Sequence, residues 1–512
     1  MTEELVNLDN CAREPIHIPG AIQPHGLLFV LRESDLSILQ VSENVLDLLG
    51  MEAEDLLGRP LTSFLSVEQA ERVRAAIDLV DPGDHNPVDL RLAALGDGRI
   101  LDGFVHRFDG FALLELEPVA LKPDFHDFYK LISKLTTVLH SAKSLDTLLQ
   151  DAATGIRTLT GFDRVMIYRF APSFEGEVVA ESKVDAGDPY LGLWYPASDI
   201  PEQARRLYAL NPLRTVADTR YAPAYLVPAI NPDSSRPVDL SYAVLRSMSP
   251  IHCEYLQNMG VAASMSVSIM RGDKLWGLVS CHHGTTRTIP YEVRKACTFV
   301  GQVLSGEISR REVERESAYT SGATRTLAKF LELMAGASEP LLGLVDQTPN
   351  LLDLIPATGA AVILGERVLT VGQTPGDEEL LEIVDLLRKS NAPLTFTTRS
   401  LMYHFRSTET MCATASGVIA LEIGKQPRSH VLFFRPELAR TVLWGGNPEK
   451  PAFAAEDGFG LSPRKSFAVW KEEMRGVAAP WTQGEIYVAN ELRNLIMVVS
   501  YGKGEEPGRL AR

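Results

Sequence analysis

Residues 194–214 read WYPASDIPEQARRLYALNPLR, and this stretch decides how the middle of the chain folds. Two prolines, Pro196 and Pro201, fix the backbone angle φ on either side of Asp199. Pro201 also keeps the residue before it out of the helical region, so a helix is expected to begin only at Glu202. The sequence therefore predicts a rigid turn whose Asp199 carbonyl is not consumed by a regular helix. The alternative is an ordinary loop in which the Asp199 side chain caps the helix.

Length and charge narrow the class of protein. At 512 residues the chain exceeds what one hydrophobic core usually holds, and about three domains are expected. Its 66 acidic and 50 basic residues give a formal charge of −16, which argues against nonspecific binding to nucleic acid or anionic lipid. No apolar run approaches the ~20 residues that cross a bilayer, and the first residues show no signal-peptide pattern. We therefore expect a cytoplasmic protein without nucleic-acid or membrane partners.

The cysteines are five, an odd number, and have no Cys-x-x-Cys spacing, so the sequence predicts neither a disulfide framework nor a zinc site. One of them, Cys11, begins the segment CAREPIHIPGAIQPHG, residues 11–26. Its isoleucines and the apolar run Leu27–Leu31 are anchors that a disordered tail normally lacks. We expect Cys11 to be held in place, with an idle buried thiol as the alternative.

Short strands and helices divide the chain into three mixed α/β units. Residues 1–120 alternate strands with small helical segments, as in a sensor domain with one mixed sheet. Residues 121–315 show helical periodicity over Phe128–Leu159, then strands, a long insertion, two more strands and a closing helix. Residues 316–505 contain further strands, predicted at 360–364, 417–422 and 430–435, and a last helix that opens with a capping box at residues 482–485. The predicted fold class is α+β.

A long helix is predicted to join the second and third units. Residues 290–335 contain no proline after the first position and repeat apolar residues at helical spacing. Gly322 and Gly336 are the expected places for a break. The predicted helix is several times longer than an average one, and its exposed face mixes Glu and Arg. We expect it to join two domains and to pack against that of a second copy, forming a homodimer.

The stretch 444–481 is rich in glycine, proline and charge, and it is longer than compact domains usually leave irregular. Within it, residues 466–470 fit two patterns. Phe467 and Val469 alternate as in a strand, whereas Phe467, Trp470 and Met474 follow helical spacing. We expect a segment so balanced to switch between the two structures.

Side chains of the second unit could line one pocket. In the predicted strands 264–270 and 275–281, serines alternate with apolar residues, and this places His282, rather than His283, on the serine face. Arginines hold carboxylates through paired N–H groups, and aromatic rings form a flat slot. A linear tetrapyrrole, conjugated and with two carboxylates and several N–H groups, would suit such a lining. The candidate residues are Tyr168, Tyr190, Tyr195, Asp199, Ile200, Tyr208, Arg214, Arg246, Ser249, His252, Tyr255, Ser264, Ser266 and His282.

In its motifs the chain resembles the photosensory core of a bacterial phytochrome, over essentially all of its length. The resemblance implies PAS, GAF and PHY domains at residues 1–120, 121–315 and 316–505, three mixed α/β sensor domains joined by a long helix. It also implies a hairpin arm, residues 444–481, that reaches from the third domain to the second. The motifs are CAREPIHIPGAIQPHG, PASDIP, SPIHCEYLQNMG, LWGLVSCHH, and WGG followed by PRKSF and WKE.

The resemblance implies biliverdin IXα as the cofactor, attached by a thioether to Cys11. The backbone oxygen of Asp199, with His252 and an ordered water, is implied to hold the pyrrole nitrogens, and His282 to contact the carbonyl of ring D. The other implied contacts are Ile200 and Pro201 in the turn, Tyr208, Arg214, Arg246, Ser249, Ser264 and Ser266 at the propionates, and Tyr168, Tyr195 and Tyr255 around ring D.

Signalling residues are implied in the hairpin arm. By the resemblance, Arg464 pairs with Asp199 in the dark state and Ser466 replaces it after the arm refolds. The chain shows no kinase or nucleotide-binding motif, so catalysis is expected only from an output module such as a histidine kinase, which is absent from this chain and would act on a response regulator. The remaining members of the arm motifs are Pro463, Trp470 and Glu472.

Two other classes fit parts of the sequence. A PAS and GAF regulator that binds a cyclic nucleotide or haem would use the same folds without needing Cys11. A Cys/His hydrolase could use Cys253 beside His252, but neighbours in sequence sit apart on a helix.

Plant and cyanobacterial members of the family attach their pigment to a cysteine immediately before the counterpart of His252. Here that residue is Ile251, which favours Cys11.

Overall fold

The computed structural model divides into two compact units, Met1–Ser309 with Leu443–Trp470, and Arg310–Val442 with Lys471–Arg512. The first unit contains two large sheets and the second contains one. The described residues are 14–78, 86–91, 100–118, 124–185, 187–336, 341–424, 428–438, 440–448, 452–454, 461–463 and 466–502. Within these ranges no helix has the length and apolar character needed to cross a membrane.

The first sheet collects the strands of the N-terminal region. Its elements are β1 (Ala21–Ile22), β2 (Leu27–Arg32), β3 (Ile38–Ser42), α1 (Val45–Leu49), α2 (Ala53–Leu56), α3 (Val67–Asp78), β4 (Asn86–Arg91), β5 (Ile100–Phe108) and β6 (Phe111–Pro118). Alternate residues of β2 and β6 point to opposite faces, and one face packs with α1 to α3 around Phe29, Val41 and Leu114. The predicted mixed sheet with small helices is confirmed, with β4 as a strand that the sequence did not reveal.

The opposite face of this sheet is covered by a later part of the chain. Strand β11 (Ala224–Val227) pairs with both β1 and β3, so the strand order is β1-β11-β3-β2-β6-β5-β4. Ile22, Leu28 and Leu245 belong to one buried core on this face. Residues 217–249, between β10 and α7, form an insertion that contains β11. Strand pairing and apolar burial therefore hold strands β1 to β3 against this insertion.

The second sheet has the central order β10-β12-β13-β7-β8-β9. Its elements are α4 (Phe125–Ser141), α5 (Leu145–Thr160), β7 (Arg164–Phe170), β8 (Gly176–Lys183), β9 (Leu193–Tyr195), α6 (Glu202–Leu210), β10 (Leu213–Val216), α7 (Pro250–Asn258), β12 (Ala263–Arg271) and β13 (Lys274–His283). Met265, Val267 and Ile269 point to the face covered by α4 and α5. The predicted helical periodicity over Phe128–Leu159 corresponds to two helices, because Ser144 accepts from the amide of Thr147 and begins a new helix.

The long helix is confirmed as α8 (Tyr291–Gly336). Of the two places where a break was expected, Gly336 ends the helix, whereas Gly322 lies inside it. An interior glycine costs roughly 1 kcal/mol relative to alanine, and burial of Ala323 and Phe330 just beyond it offsets that cost. The apolar positions that lie in the core of the second sheet are Val293, Cys297, Val300, Leu304 and Ile308.

The second unit is built around a sheet of order β15-β14-β18-β17-β16. Its elements are α9 (Gly343–Asp346), α10 (Leu351–Leu354), β14 (Gly359–Leu364), β15 (Arg367–Gly372), α11 (Asp377–Lys389), β16 (Thr395–Thr398), α12 (Leu401–His404), α13 (Cys412–Ala415), β17 (Gly417–Glu422), β18 (Ser429–Arg435) and, beyond the arm, α14 (Gln483–Gly502). One face packs against α8 and α14 around Phe330 and Leu492, and the other packs against α11 around Ile363 and Leu432. The predicted strands β14, β17 and β18 are confirmed, whereas β15 and β16 were not predicted.

The predicted capping box of the last helix is confirmed. The amide of Glu485 donates to Thr482 Oγ1 at 3.2 Å, and the amide of Thr482 donates to Glu485 Oε2 at 2.7 Å. This reciprocal pair satisfies two of the N–H groups that a helix start leaves unbonded.

The described residues of the hairpin arm contain strands and no helix. Its strands are β19 (Arg440–Gly445), β20 (Ala452–Ala454), β21 (Leu461–Pro463) and β22 (Val469–Met474). Two residues of β19 pair in parallel with Leu193 and Trp194 of β9, so β19 continues the second sheet. Of the two patterns in residues 466–470, the strand pattern prevails from Val469 onward.

Candidate functional site

The proline-bounded turn forms a short 3-10 helix, Ala197–Asp199, before α6 begins. The residue that precedes α6 is Pro201, so Asp199 does not stand at the N-cap position of this helix. The Asp199 carboxylate instead accepts a hydrogen bond from the hydroxyl of Tyr255, with Oδ2 and Oη 2.8 Å apart. The turn therefore presents its acid to α7.

A cleft lies between this turn, α6, α7 and the second sheet. The structure thus brings ten of the predicted lining residues to one place, and they come from separate strands and helices. These residues are Tyr168, Tyr195, Asp199, Ile200, Tyr208, His252, Tyr255, Ser264, Ser266 and His282.

The wall formed by β12 and β13 follows directly from strand alternation. Ser264 pairs with His282, and Ser266 pairs with Ser280, so all four side chains share one face of the sheet. The hydroxyl of Ser280 lies 3.2 Å from Nε2 of His282. His283 points to the other side, where its Nδ1 is 2.9 Å from Asp163. The choice of His282 over His283 as the cleft residue agrees with this geometry.

Both cleft histidines are neutral at ordinary pH. Burial, with the positive charge of Arg214, lowers the pKa of His252 to about 4. Burial, with Arg164 and His252 nearby, lowers the pKa of His282 to about 3. Neutral imidazoles each offer one donor and one acceptor, so they suit a ligand with carbonyl and N–H groups.

Arg214 and Arg246 are both buried near the cleft but do not line it. The Nε of Arg214 donates to the sulfur of Met248 at 2.9 Å, and its two Nη atoms donate to carbonyls within residues 243–247. Arg246 donates through Nη1 to Ser241, and its Nε is buried with no hydrogen-bond partner among the described residues. Of the two guanidinium groups, that of Arg246 therefore has a donor left for a ligand.

The N-terminal segment reaches the start of α7. Ser249, the residue before that helix, donates its hydroxyl to Glu14 Oε2 at 2.9 Å, and burial raises the pKa of Glu14. Cys11 lies outside the described residues, three positions before Glu14.

Two further predicted residues do not line the cleft. Pro201 sits in the turn beside the cleft without being part of its lining. Tyr190 lies under the guanidinium of Arg164, 3.7 Å from ring centre to Cζ.

The hairpin arm contacts the same site. The ring of Phe467 meets that of Tyr255 edge to face, with ring centres 5.2 Å apart. Ser466 and Trp470 are exposed, as is Glu472. Arg464 lies outside the described residues, and of Pro463 the structure describes only the backbone, in β21. Tyr255 thus connects the Asp199 carboxylate to the arm.

Sequence reasoning missed six residues of the cleft. Each belongs to a pattern already recognised: alternation along β7, β8 and β13, and helical spacing from His252 along α7. They were overlooked because most are apolar, and an apolar side chain on a strand is more often assigned to a core. They are Met166, Val178, Leu256, Met259, Leu278 and Ser280.

Cys253 is a poor nucleophile in this structure. It is buried on α7, and burial raises the pKa of its thiol to about 11. Only thiolates attack efficiently, and reactive cysteines have lowered pKa values. The burial of Cys253 and the raised pKa of its thiol disfavour the Cys/His hydrolase. Among the described residues no group of three or more His, Cys, Asp or Glu side chains is arranged to hold a metal ion.

Family comparisons agree with the three-sheet organisation. The chain matches the family described as PAS fold over residues 11–119, the GAF domain over 144–311 and the phytochrome region, PHY, over 323–504. The fold and the cleft therefore define a multidomain sensor protein with PAS, GAF and PHY domains.

Curated relatives and solved structures narrow this class. The chain is 42% identical to cyanobacterial phytochrome B of Nostoc sp. over 508 residues, 99% of this chain and 68% of the relative. It is 37% identical to the bacteriophytochrome of Pseudomonas aeruginosa over 516 residues, with 99% and 68% covered. A bacteriophytochrome from the photosynthetic bacterium R. palustris superposes with a TM-score of 0.87 at 39% identity, with 97% of this chain and all of that one covered. The photosensory core module of Stigmatella aurantiaca phytochrome gives 0.85 at 41% identity, with 98% and 99% covered.

The chain belongs to the phytochrome family and forms the PAS-GAF-PHY photosensory core of a light photoreceptor.

Proposed function

We propose that this photoreceptor binds biliverdin IXα in the cleft, through a thioether to Cys11, and switches between red- and far-red-absorbing forms. The observation that carries the proposal is the cleft itself. A turn carboxylate, two neutral histidines, a row of serines and a set of aromatic rings face one another there. A flat, conjugated ligand with carbonyl and N–H groups along its edge fits such a lining.

The buried arginines support a ligand with carboxylates. Burial lowers the pKa of both Arg214 and Arg246, and for Arg246 the neighbouring charge of Arg214 lowers it further. Two buried cations side by side are unfavourable unless anions lie near them, and the buried carboxylate of Glu115 supplies a single negative charge to the pair. We assign one propionate to Arg246, whose Nε has an unused N–H, with Tyr208, Ser264 and Ser266 as hydroxyl donors. Ser249 would become a further donor by releasing Glu14. Arg214 would join only by releasing a backbone carbonyl.

The turn and α7 would hold the centre of the ligand. The backbone oxygen of Asp199, His252 and an ordered water would receive its N–H groups, with Ile200 and Pro201 shaping the slot. His282 would donate to the terminal carbonyl, inside the ring-D pocket formed by Tyr168, Tyr195 and Tyr255. The Cys11 thiol, three residues before Glu14, would approach from the side of Ser249.

When bound, the pigment supplies light absorption and the rotation of its ring D. The protein's part is to turn a changed hydrogen bond at His282 into movement of the arm. Losing one matched polar contact in a buried site costs ~1–3 kcal/mol. Such a difference is enough to shift an arm segment that fits two secondary structures.

The coupling path supported by the contacts runs from Asp199 through Tyr255 to Phe467. We infer that Arg464 pairs with Asp199 in the dark form and that Ser466 takes its place once the arm has refolded. Pro463, Trp470 and Glu472 would change their surroundings in the same step.

We further propose that the protein acts as a cytoplasmic homodimer and signals to an output module, such as a histidine kinase with its response regulator. A groove between α4 and α8 contains Tyr129 and Phe299, which are 64% and 45% exposed. Large exposed apolar groups of this kind favour association between helices. Sedimentation of the wild type beside a variant with Tyr129→Glu and Phe299→Glu tests this contact, and unchanged mass would contradict it.

Co-expression with haem oxygenase tests the pigment most directly. The expected result is a red-absorbing or far-red-absorbing protein that photoconverts reversibly and shows zinc-induced fluorescence on a denaturing gel. Cys11→Ser should abolish the fluorescence, because without the thioether the pigment leaves the protein on denaturation. Cys253→Ser, a matched loss of a thiol, should keep it.

Fluorescent bands in Cys11→Ser but not in Cys253→Ser would move the attachment site to α7. A purified protein without a far-red chromophore, but with a haem spectrum or with cyclic nucleotide bound, would replace the proposal by the small-molecule sensor.

A further inference from the structure

Glu115 is a fully buried carboxylate on β6 of the PAS domain. It points to the sheet face that packs against the insertion of the GAF domain, away from the core around Phe29 and Leu114. Its Oε1 accepts the amide of Val244 at 3.1 Å, and its Oε2 accepts the amide of Leu245 at 2.6 Å. The two backbone N–H groups thus stand where water would otherwise bind this carboxylate.

The same two peptide groups also bind Arg214. Nη1 of Arg214 donates to the carbonyls of Ala243 and Val244, at 3.3 Å and 3.2 Å. The Ala243 carbonyl and the Val244 amide form one peptide group, and the Val244 carbonyl and the Leu245 amide form the next. Each peptide group therefore has its N–H on Glu115 and its C=O on Arg214.

Two peptide dipoles thus lie in line between a buried anion and a buried cation. Hydrogen bonds in such a chain polarise one another and strengthen at low dielectric. The segment carries Arg246 immediately after Leu245, and Nη2 of Arg214 also binds the Arg246 carbonyl. The hydrogen bonds from Glu115 and Arg214 to residues 243–245 therefore also fix the backbone position of Arg246.

We propose that Glu115 is a positioning residue for the ligand-binding arginine: a PAS carboxylate that holds Arg246 of the GAF domain in place through two peptide groups and Arg214. This inference rests on the proposed function, because it takes Arg246 to bind a propionate. Burial lowers the pKa of both arginines, and the charge of Glu115 opposes that change, which is consistent with its role as their counter-ion.

The strand offers a matched control two residues along. Glu117 lies on the same face of β6 and is also buried, but it binds Arg294 of α8, with oxygen to nitrogen distances of 3.0 Å and 2.7 Å. Glu117→Gln makes the same chemical change as Glu115→Gln and also disrupts a buried charge, without touching residues 243–247. A purely structural effect should appear in both variants.

The test compares the rate of pigment assembly with free biliverdin and with its dimethyl ester, whose propionates are masked. Wild type should prefer the free acid. Glu115→Gln should slow assembly with the acid about tenfold and leave the ester rate nearly unchanged, since the ester does not use Arg246. Glu117→Gln should keep the wild-type preference. Glu115→Asp, which retains the charge one methylene further away, should restore part of the preference and serves if Glu115→Gln does not fold.

Equal slowing with both pigments, or no slowing in Glu115→Gln, would overturn the inference while leaving the proposed function intact. If wild type takes up neither pigment, the proposed function fails. The positioning role of Glu115 is then tested by amide hydrogen exchange of the protein without pigment. The Val244 and Leu245 amides should then exchange about tenfold faster in Glu115→Gln than in Glu117→Gln. Equal exchange would overturn it.

Discussion

The sheets of the GAF and PHY domains are built alike but use one face differently. Each has a face covered by long helices, around Val267 in the GAF domain and around Phe433 in the PHY domain. On the other face of the GAF sheet, serines and a histidine border a cleft. On the other face of the PHY sheet, Ile363 and Leu432 are buried under α11. The comparison teaches that alternate residues on two strands decide whether such a sheet binds a ligand or packs against a helix.

The largest expected effect is a loss of stability when the same substitution, leucine to alanine, is made on each of the two sheet faces. Leu432→Ala removes a fully buried side chain under α11 and should lower the free energy of unfolding of the PHY domain by ~3–5 kcal/mol, because a closed cavity remains. Leu278→Ala borders the GAF cleft, so the lost volume joins an existing space and the loss should be ~2 kcal/mol or less. Denaturant-dependent hydrogen exchange measures each sheet separately. Equal losses would mean that the cleft face is as tightly packed as the PHY face.

The next effect concerns a histidine on the PHY sheet. Burial, with Arg388 nearby, lowers the pKa of His430 to about 4 in the folded protein, below the ordinary value of about 6.5. The unfolded chain therefore binds a proton first as the pH falls, and stability is lost between about pH 6.5 and 4, by up to ~3 kcal/mol.

His430→Gln should flatten this loss in PHY-domain stability, measured by urea unfolding from pH 7 to pH 4, while His282→Gln in the GAF domain should not. A pH dependence of the PHY domain that is identical in wild type and His430→Gln would show that carboxylates alone produce it.

The smallest expected effect is a difference in stability between two serine-to-alanine variants of the same strand, β12. Ser266 and Ser268 lie on the same face of β12, but the Ser268 hydroxyl donates to the carbonyl of Tyr208 at 2.6 Å, whereas Ser266 lines the cleft. Ser268→Ala should cost ~1 kcal/mol of stability, because it leaves a partly buried carbonyl without its donor. Ser266→Ala should change stability by less than ~0.5 kcal/mol and alter the absorption maximum of the pigment-loaded protein. Thermal unfolding and absorption spectra of the two variants provide the measurement.

Much of the site could be predicted from local pattern. Two prolines around Asp199 predicted the turn, and alternation along β12 and β13 predicted that Ser264, Ser266 and His282 share a face. These features depend on covalent geometry and on the period of a strand, both of which act over a few residues. Helix breaks were less predictable, because the Ser144 cap and the burial of residues beyond Gly322 decided them.

The amino-acid order by itself determined the strand faces, the rigid turn, the long helix and the capping box, because each results from interactions between residues close in the chain. Only the tertiary structure decided that Tyr255 binds the Asp199 carboxylate and that the Arg214 guanidinium is occupied by backbone carbonyls. It alone placed Glu115 of the PAS domain beneath the segment that carries Arg246. Such contacts join residues far apart in sequence, and they form because a buried charge must find hydrogen bonds wherever the fold brings donors or acceptors near it.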